Sequence, residues 1–242
     1  MNEALVPVAI ALIAALYSSV GHGGASGYLA LLTLLAFPIA LIKPSALVLN
    51  LLVSAIAFVQ FKRAGHFRWA LFWPFALTSI PFSYIGAGLP LDPTTYARVL
   101  GVCLLAAVAR LLGLFGTWEG PMKRLQLPWA LAIGAAIGFV SGAIGIGGGI
   151  LLSPLLLLLR WSSTKESAAV SALFIFVNSA AGITRYMEDT SWFTPTTLLW
   201  IVAALIGAAL GSALGAQRMP ELRLRQVLGV SLLLASFKLL WT

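Results

Sequence analysis

The sequence predicts an all-α integral membrane protein made of two inverted halves of five segments each. Three observations carry that expectation: an apolar composition, an internal repeat, and a one-sided placement of positive charge. Of the 242 residues, 60% are hydrophobic and 9% are charged, whereas a soluble domain carries about 25% charged residues. A compact body with so few charges cannot cover itself in water, so its solvent is lipid. Long runs of Leu, Ala, Ile and Val in lipid must satisfy their backbone groups within the segment, which makes them helices. The net charge of +8 would suggest nucleic acid in a soluble protein. Here it must first be read against the bilayer, and no nucleic-acid partner is expected.

The repeat is visible by eye. SSVGHGGASGYLALLTLL, from Ser18, resembles GAIGIGGGILLSPLLLLL, from Gly142. Gly21, Gly23 and Gly24 fall on Gly145, Gly147 and Gly148, Lys43 falls near Lys165, and Trp69 on Trp192 after a small gap. The halves also end alike, VLGVCLLAAVARLL from Val99 matching VLGVSLLLASFKLL from Val227. Two matches in the same order point to a tandem duplication, with a first membrane repeat at residues 1–115, a linker at 116–126 and a second membrane repeat at 127–242; the charges below make the linker cytoplasmic and the second repeat inverted.

Taken in order, residues 4–20 form an apolar segment that no Lys or Arg precedes, so they are expected as a first membrane segment rather than a cleaved signal. Residues 28–42 follow a glycine-rich stretch and reach only about 22 Å as a helix, short of a hydrocarbon core about 30 Å thick. Residues 44–63, 69–90 and 95–115 are long enough to span, with Pro44 at a helix start. In the second half, residues 127–144 lead into the second glycine stretch and 150–160 reach only about 17 Å. Residues 166–186, 193–215 and 223–241 are again long enough, and Pro128 and Glu166 suit helix starts. The first two segments of each half therefore form a short hairpin with a Gly-rich tip, either re-entrant or a broken helix.

The charges choose the topology. If the first pair in each half is a hairpin or two crossings, the halves are inverted. One side then receives Lys62, Arg63, Arg68, Arg110, Lys123, Arg124, Arg160, Lys165, Arg218, Arg223 and Arg225, and the other only Lys43, Arg98, Arg185 and Lys238. If each pair is one broken crossing, the split is even. Cytoplasmic loops are the Lys/Arg-rich ones, so the larger group is placed inside and both termini outside. Six of the eight Trp (Trp69, Trp118, Trp129, Trp161, Trp192 and Trp241) sit near segment ends, as an aromatic belt does.

Inversion brings the two tips towards each other from opposite faces. Each tip is followed at once by a helix, whose free N–H groups and positive dipole end favour an anion. Glycine lets a ligand come close to that backbone. The candidate binding residues are Gly21, Gly23, Gly24, Gly145, Gly147, Gly148 and Gly149, with hydroxyls from Ser18, Ser19, Ser26 and Ser141. Asn50 and Asn178, in corresponding long helices, either line the cavity or join helices. His22 lies inside the first tip and can bond an anion, carry a coupled proton, or make a structural hydrogen bond. The alternative is that the glycines only permit close helix packing, which suits Gly207 and Gly211. Arg185 either closes a cavity or anchors at the interface. Cys103 is the only cysteine, so an intrachain disulfide is excluded. No metal site, cofactor or Walker sequence is expected.

With SSVGHGGASGYLALLTLL and FVSGAIGIGGGILLSPLLLLL and their similar downstream halves, the chain resembles the sulfite exporter TauE/SafE family, also called toluenesulfonate uptake permeases. The resemblance covers nearly the whole chain. The first motif departs from the second, with Ala25 in place of a glycine and His22 in the variable position. The resemblance implies a multi-pass protein of the bacterial inner membrane that moves sulfite, sulfoacetate or another organosulfonate by alternating access. The residues alone reach only a small anion. A passive anion channel and, further off, a membrane enzyme acting on a sulfur compound are the competing readings. The oligomeric state is left open.

Overall fold

The computed structural model describes residues 5–111 and 121–217, with Leu233. The described residues are helical, with no strand among them. They form α1 (Leu5–Ser18), α2 (Ala25–Leu34), α3 (Ile39–Arg63), α4 (Trp69–Ala87) and α5 (Pro93–Leu111), then α6 (Leu127–Ile144), α7 (Gly149–Leu158), α8 (Thr164–Ile183) and α9 (Pro195–Gln217), with a 3-10 turn at Thr184–Tyr186. Five stretches are long and apolar enough to cross a membrane: Ile39–Arg63, Trp69–Ala87, Leu127–Ile144, Thr164–Tyr186 and Pro195–Gly215. The segment expected at 223–241, residues 116–120 of the expected linker, Arg218, Arg223, Arg225, Lys238, Trp118 and Trp241 lie outside the described residues.

The two glycine turns share one backbone design. Gly21 and Gly24 have φ of 77° and 91°, and Gly145 and Gly148, at the same spacing in the second half, have 90° and 79°. Both α2 and α7 are ten residues long, about 15 Å. Both end on a left-handed residue that is not glycine, Ala36 and Arg160, each with φ 56°. There the N–H of Phe37 reaches the carbonyl of Leu32, and that of Trp161 the carbonyl of Leu156. These are matching six-to-one helix closures.

Helix boundaries depart from the sequence reading at one informative place. The expected segment 28–42 is split, because Pro38 cannot continue α2 and takes the N-cap position of α3. Helix α3 therefore starts before Lys43 and carries Pro44 in its second turn. Lys43, expected in an outside loop, is a buried helix residue, 5% exposed. Two smaller corrections follow from packing. Helix α6, grouped with the short segments, has 18 residues and is long enough to span. Trp161 is buried against Phe75, their ring centroids 6.1 Å apart, and is not part of a belt. Trp69 and Trp129 are exposed at the starts of α4 and α6, where a belt residue sits.

Close packing is built on glycine rows. Gly134, Gly138 and Gly142 of α6 lie against the backbone of Phe75, Ser79 and Ser83 of α4, so those two helices run parallel. Gly207, Gly211 and Gly215 of α9 lie in the same way on Ala11, Ala15 and Ser19 of α1. Helices α3 and α8 run antiparallel: Leu47 meets Gly182, Asn50 meets Ser179, and Phe61 packs on Ala168 and Ala169. Leu5, Val8 and Leu12 of α1 and Val202, Ile206 and Leu210 of α9 remain exposed, the outward face of a helix whose other side is packed.

Basic residues separate by end. Lys62, Arg63, Arg68, Lys123, Arg124, Arg160 and Lys165 gather where α3 and α7 finish and α4, α6 and α8 begin. That end is tied by the Arg68–Glu166 ion pair at 3.3 Å and by the Lys123 N–H donating to the Arg160 carbonyl at 2.8 Å. The opposite end holds Lys43, Arg98 and Arg185. Arg185 lies over the Tyr84 ring at 4.1 Å and is exposed, which makes it an end anchor rather than a cavity wall.

A Cβ at Gly138 would come 2.6 Å from the Cα of Ser79. Gly138→Val is therefore expected to lower stability by about 1–3 kcal/mol or more, as overpacking does. Val202→Ala, on the exposed face of α9, is expected to leave it within about 0.5 kcal/mol. Melting curves of the purified protein in detergent check both.

Candidate functional site

The site is organised by one side chain. Asn50 sits near the middle of the 25-residue α3 and is 1% exposed. Its Oδ1 accepts from the N–H of Ala25, the first residue of α2, at 3.2 Å. Its Nδ2 donates to the carbonyl of Ile146 in the second glycine turn at 3.1 Å and to the hydroxyl of Ser179 on α8 at 3.2 Å. One amide thus bonds both turns and the facing long helix. Glycine is required on both sides of it: a Cβ at Gly23 would collide with Oδ1, and one at Gly147 would lie 2.5 Å from Nδ2.

Beside Asn50 lies a small cavity lined by Tyr17, His22, Gly23, Gly24, Ala25, Ser26, Asn50, Ile146, Ile150 and Ile175. Its volume of about 10 Å³ is close to the space that one water molecule's centre sweeps. No carboxylate lines it. The start of α2 faces it, and neither α2 nor α7 has a side-chain hydrogen bond from its N-cap residue, Gly24 and Gly148 respectively. Polar donors converge here. Ser26 donates its hydroxyl to Tyr17 Oη at 3.0 Å. Tyr28 Oη is buried at the first turn, close to Gly24, and finds no hydrogen-bond partner among the described residues.

His22 connects the first turn to the second half. Its Nδ1 lies 3.0 Å from the carbonyl of Val20 and its Nε2 3.2 Å from Ser153 Oγ on α7. Ser153 Oγ is in turn 2.8 Å from Ser171 Oγ on α8. The Val20 carbonyl can only accept, so Nδ1 carries a proton, and in the neutral ring Nε2 accepts from Ser153. Ring, hydroxyl and hydroxyl form a continuous hydrogen-bonded line.

The candidates divide cleanly. His22, Gly23, Gly24, Ser26 and Asn50 line the cavity. Gly21 packs on Ala168, Gly145 on Lys43, Gly147 on Asn50 and Ser179, Gly148 on Ile137 and Phe174, and Gly149 on Ile175. The second half therefore reaches this side of the cavity through Ile146 of the turn and Ile150 at the start of α7, not through the glycines of the turn. Ser19 and Ser141 turn back onto their own helices, to the carbonyls of Leu16 and Gly138. Ser18 fastens α1 to the Ala208 carbonyl of α9 at 3.2 Å. Asn178 does not face Asn50: its Nδ2 donates to the Phe174 carbonyl one turn back, and its backbone carbonyl accepts from the Ser83 hydroxyl on α4. Ser179, the next residue, takes the place expected of it. Sequence reasoning missed Tyr17, Tyr28, Ser153, Ser171 and Ser179. The spacing of Tyr17 and Tyr28 around the first glycine turn was the one available signal.

Apolar helices of spanning length around a buried polar centre at mid-helix are those of an integral membrane protein, and comparison with known proteins gives the class as membrane transporters. The model of the sulfite exporter TauE/SafE family matches residues 6–239, and the chain belongs to that family. A probable membrane transporter protein, y4hK, of Sinorhizobium fredii is 36% identical over 249 residues, covering all of both chains. A probable membrane transporter protein, YunE, of Bacillus subtilis is 34% identical over 38% of this chain and 32% of its own. Another, MJ0441, of Methanocaldococcus jannaschii is 22% identical over 73% of this chain and 72% of its own. No solved structure matches the chain significantly.

Asn50→Ala removes three hydrogen bonds and strands the Ala25 N–H and the Ile146 carbonyl in a buried place. The expected loss is about 2–4 kcal/mol, read as a lower detergent melting temperature. Asn50→Asp keeps the acceptor for Ala25 but sets a carboxylate against the Ile146 carbonyl, so it is expected to be no more stable than the alanine variant.

Proposed function

We propose that the chain is a secondary transporter of a small sulfur-containing anion, such as sulfite, sulfoacetate or another organosulfonate, across the bacterial inner membrane. The observation that carries the reading is the polar cavity at the start of α2, held at the middle of α3 by Asn50. An oxyanion offers only acceptors. The cavity supplies donors: the start of α2, where Asn50 already takes the Ala25 N–H, the Tyr17 hydroxyl, which accepts from Ser26 and keeps its own proton to give, and the spare Tyr28 hydroxyl nearby. It has no carboxylate to favour a cation. The family name supplies the sulfur.

Alternating access rests on two features. The halves are read as inverted, supported by the antiparallel run of α3 and α8, which follow the two short helices in the same way. The cavity has room for about one water, so a four-atom oxyanion enters only if the turns part. A carrier that opens one side at a time fits this better than an open channel. The names of the relatives favour a transporter over an enzyme. The basic end is placed in the cytoplasm and both termini in the periplasm. His22, bonded to both halves, is read as the coupling proton's place.

Thermal-shift titration with sulfite, thiosulfate, sulfoacetate, taurine, isethionate and an aromatic sulfonate tests the cargo. At least one is expected to stabilise the wild type, by the mass action of binding to the folded state. Tyr17→Phe and Ser26→Ala are each expected to weaken that ligand roughly three- to tenfold, the value of one hydrogen bond. Stabilisation by none of the six would sink the anion reading, and uptake into liposomes that never saturates would favour the channel.

Two further outcomes are expected. His22→Gln should flatten the dependence of transport on pH, because an amide neither takes up nor releases a proton as an imidazole does; an unchanged profile removes the proton role. In a Cys103→Ser background, cysteines at the exposed Arg63 and Lys123 should react from the cytoplasmic side and one at Glu188 from the other. Labelling of all three from one side overturns the inverted topology.

A further inference from the structure

Lys43 is a buried lysine with no ion-pair partner among the described residues. The residue is 5% exposed, in the second turn of α3. The one ion pair among the described residues is Arg68–Glu166, at the opposite end. What Lys43 has is a ring: its Nζ stands 5.3 Å from the centroid of Tyr96 on α5, a cation–π distance. Tyr96 in turn donates its hydroxyl to the carbonyl of Ile144 at 3.3 Å, at the last residue of α6 before the second glycine turn. Two other charged groups at this end have partners of their own. Arg185 lies over Tyr84, and Asp92 accepts from the Thr95 N–H and is exposed.

Its place relative to the cavity is fixed by the helix. Lys43 and Asn50 are seven residues apart, two turns and about 10 Å along the same face of α3. The second turn lies along that face: a Cβ at Gly145 would sit 3.7 Å from the Lys43 carbonyl, and the next residue, Ile146, bonds Asn50. An ionisable residue inside a membrane protein without a counter-charge is costly to keep and marks a pathway. A carboxylate partner would cancel its field, and none is there among the described residues.

We propose that Lys43 binds the anion on its way between the Asn50 cavity and the end of the molecule where α3 begins, the countercharge being the oxyanion itself. The proposal rests on the anion-transport reading of the cavity and adds the one full positive charge that the cavity's dipoles lack. At an effective dielectric constant of about 20, a unit charge about 10 Å away changes the affinity for an anion roughly tenfold.

The test is saturable uptake of labelled sulfite and thiosulfate into liposomes by the wild type, Lys43→Met, Lys43→Arg and Tyr17→Phe at several ionic strengths. Lys43→Met is expected to raise KM about tenfold with kcat within about twofold, and the gap to the wild type is expected to persist as salt rises, because a buried charge is little screened. Lys43→Arg is expected to restore KM. Each variant is first checked for an unchanged detergent melting temperature; should Lys43→Met unfold, Lys43→Gln takes its place. A folded Lys43→Met or Lys43→Gln with wild-type KM overturns the role of Lys43, while a Tyr17→Phe defect in the same series keeps the transport reading. Rescue by arginine of stability but not of KM also overturns it, because the residue is then structural. Absence of saturable uptake of either anion by the wild type overturns the transport reading, and the proposal with it.

Discussion

The rest of the molecule is arranged around a side-chain amide that must find partners away from water. Burying Asn50 without hydrogen bonds would cost several kcal/mol in a membrane interior. The structure meets that demand by bringing three other elements to it: the start of α2, the second glycine turn and α8. The demand is reciprocal. A helix start and a bent turn carry free N–H and C=O groups that lipid cannot satisfy. Irregular backbone at this depth is therefore stable only beside a group that both donates and accepts. An amide does both from separate atoms, two N–H donors at one end and a carbonyl acceptor at the other, and its fit explains why Gly23 and Gly147 leave no room for a Cβ.

Around this centre the halves are alike in backbone and unlike in side chain. The left-handed positions recur, down to Ala36 and Arg160. The first turn carries His22 and meets a line of serines, while the second carries Ile146 and packs on Ile175, Phe174 and Ile137. The polar chemistry belongs to the first turn and the apolar wall to the second.

Much of this was legible in the chain. Composition and segment length gave the membrane helices, since hydrocarbon thickness is a hard ruler. The glycines gave the turns, since positive φ leaves a direct mark in residue type. Side-chain partners were harder. Asn178 looked like the counterpart of Asn50, but a helix turns about 100° per residue, and Ser179 is the one that points inward. Ser18, Ser19 and Ser141 looked like site hydroxyls, yet Ser19 and Ser141 bond their own helices. Lys43 was misplaced because Pro44 reads as a helix start, while Pro38 in fact makes it. A tyrosine next to a glycine turn carries no mark that separates binding from packing, and so Tyr17 and Tyr28 passed unnoticed.

The two glycine rows have a consequence for how the chain comes to be built. Helix α1 is seated on α9 and α4 on α6, so each row joins an element of one half to an element of the other. Among the described residues, neither row lies within one half. During synthesis, the face of α1 that meets α9 stays without that partner until nearly the whole chain has emerged. The ribosome delivers the two halves in sequence, but assembly is completed only as an interlocked pair, and a chain cut short before α9 leaves its first helix without the surface it was shaped to meet.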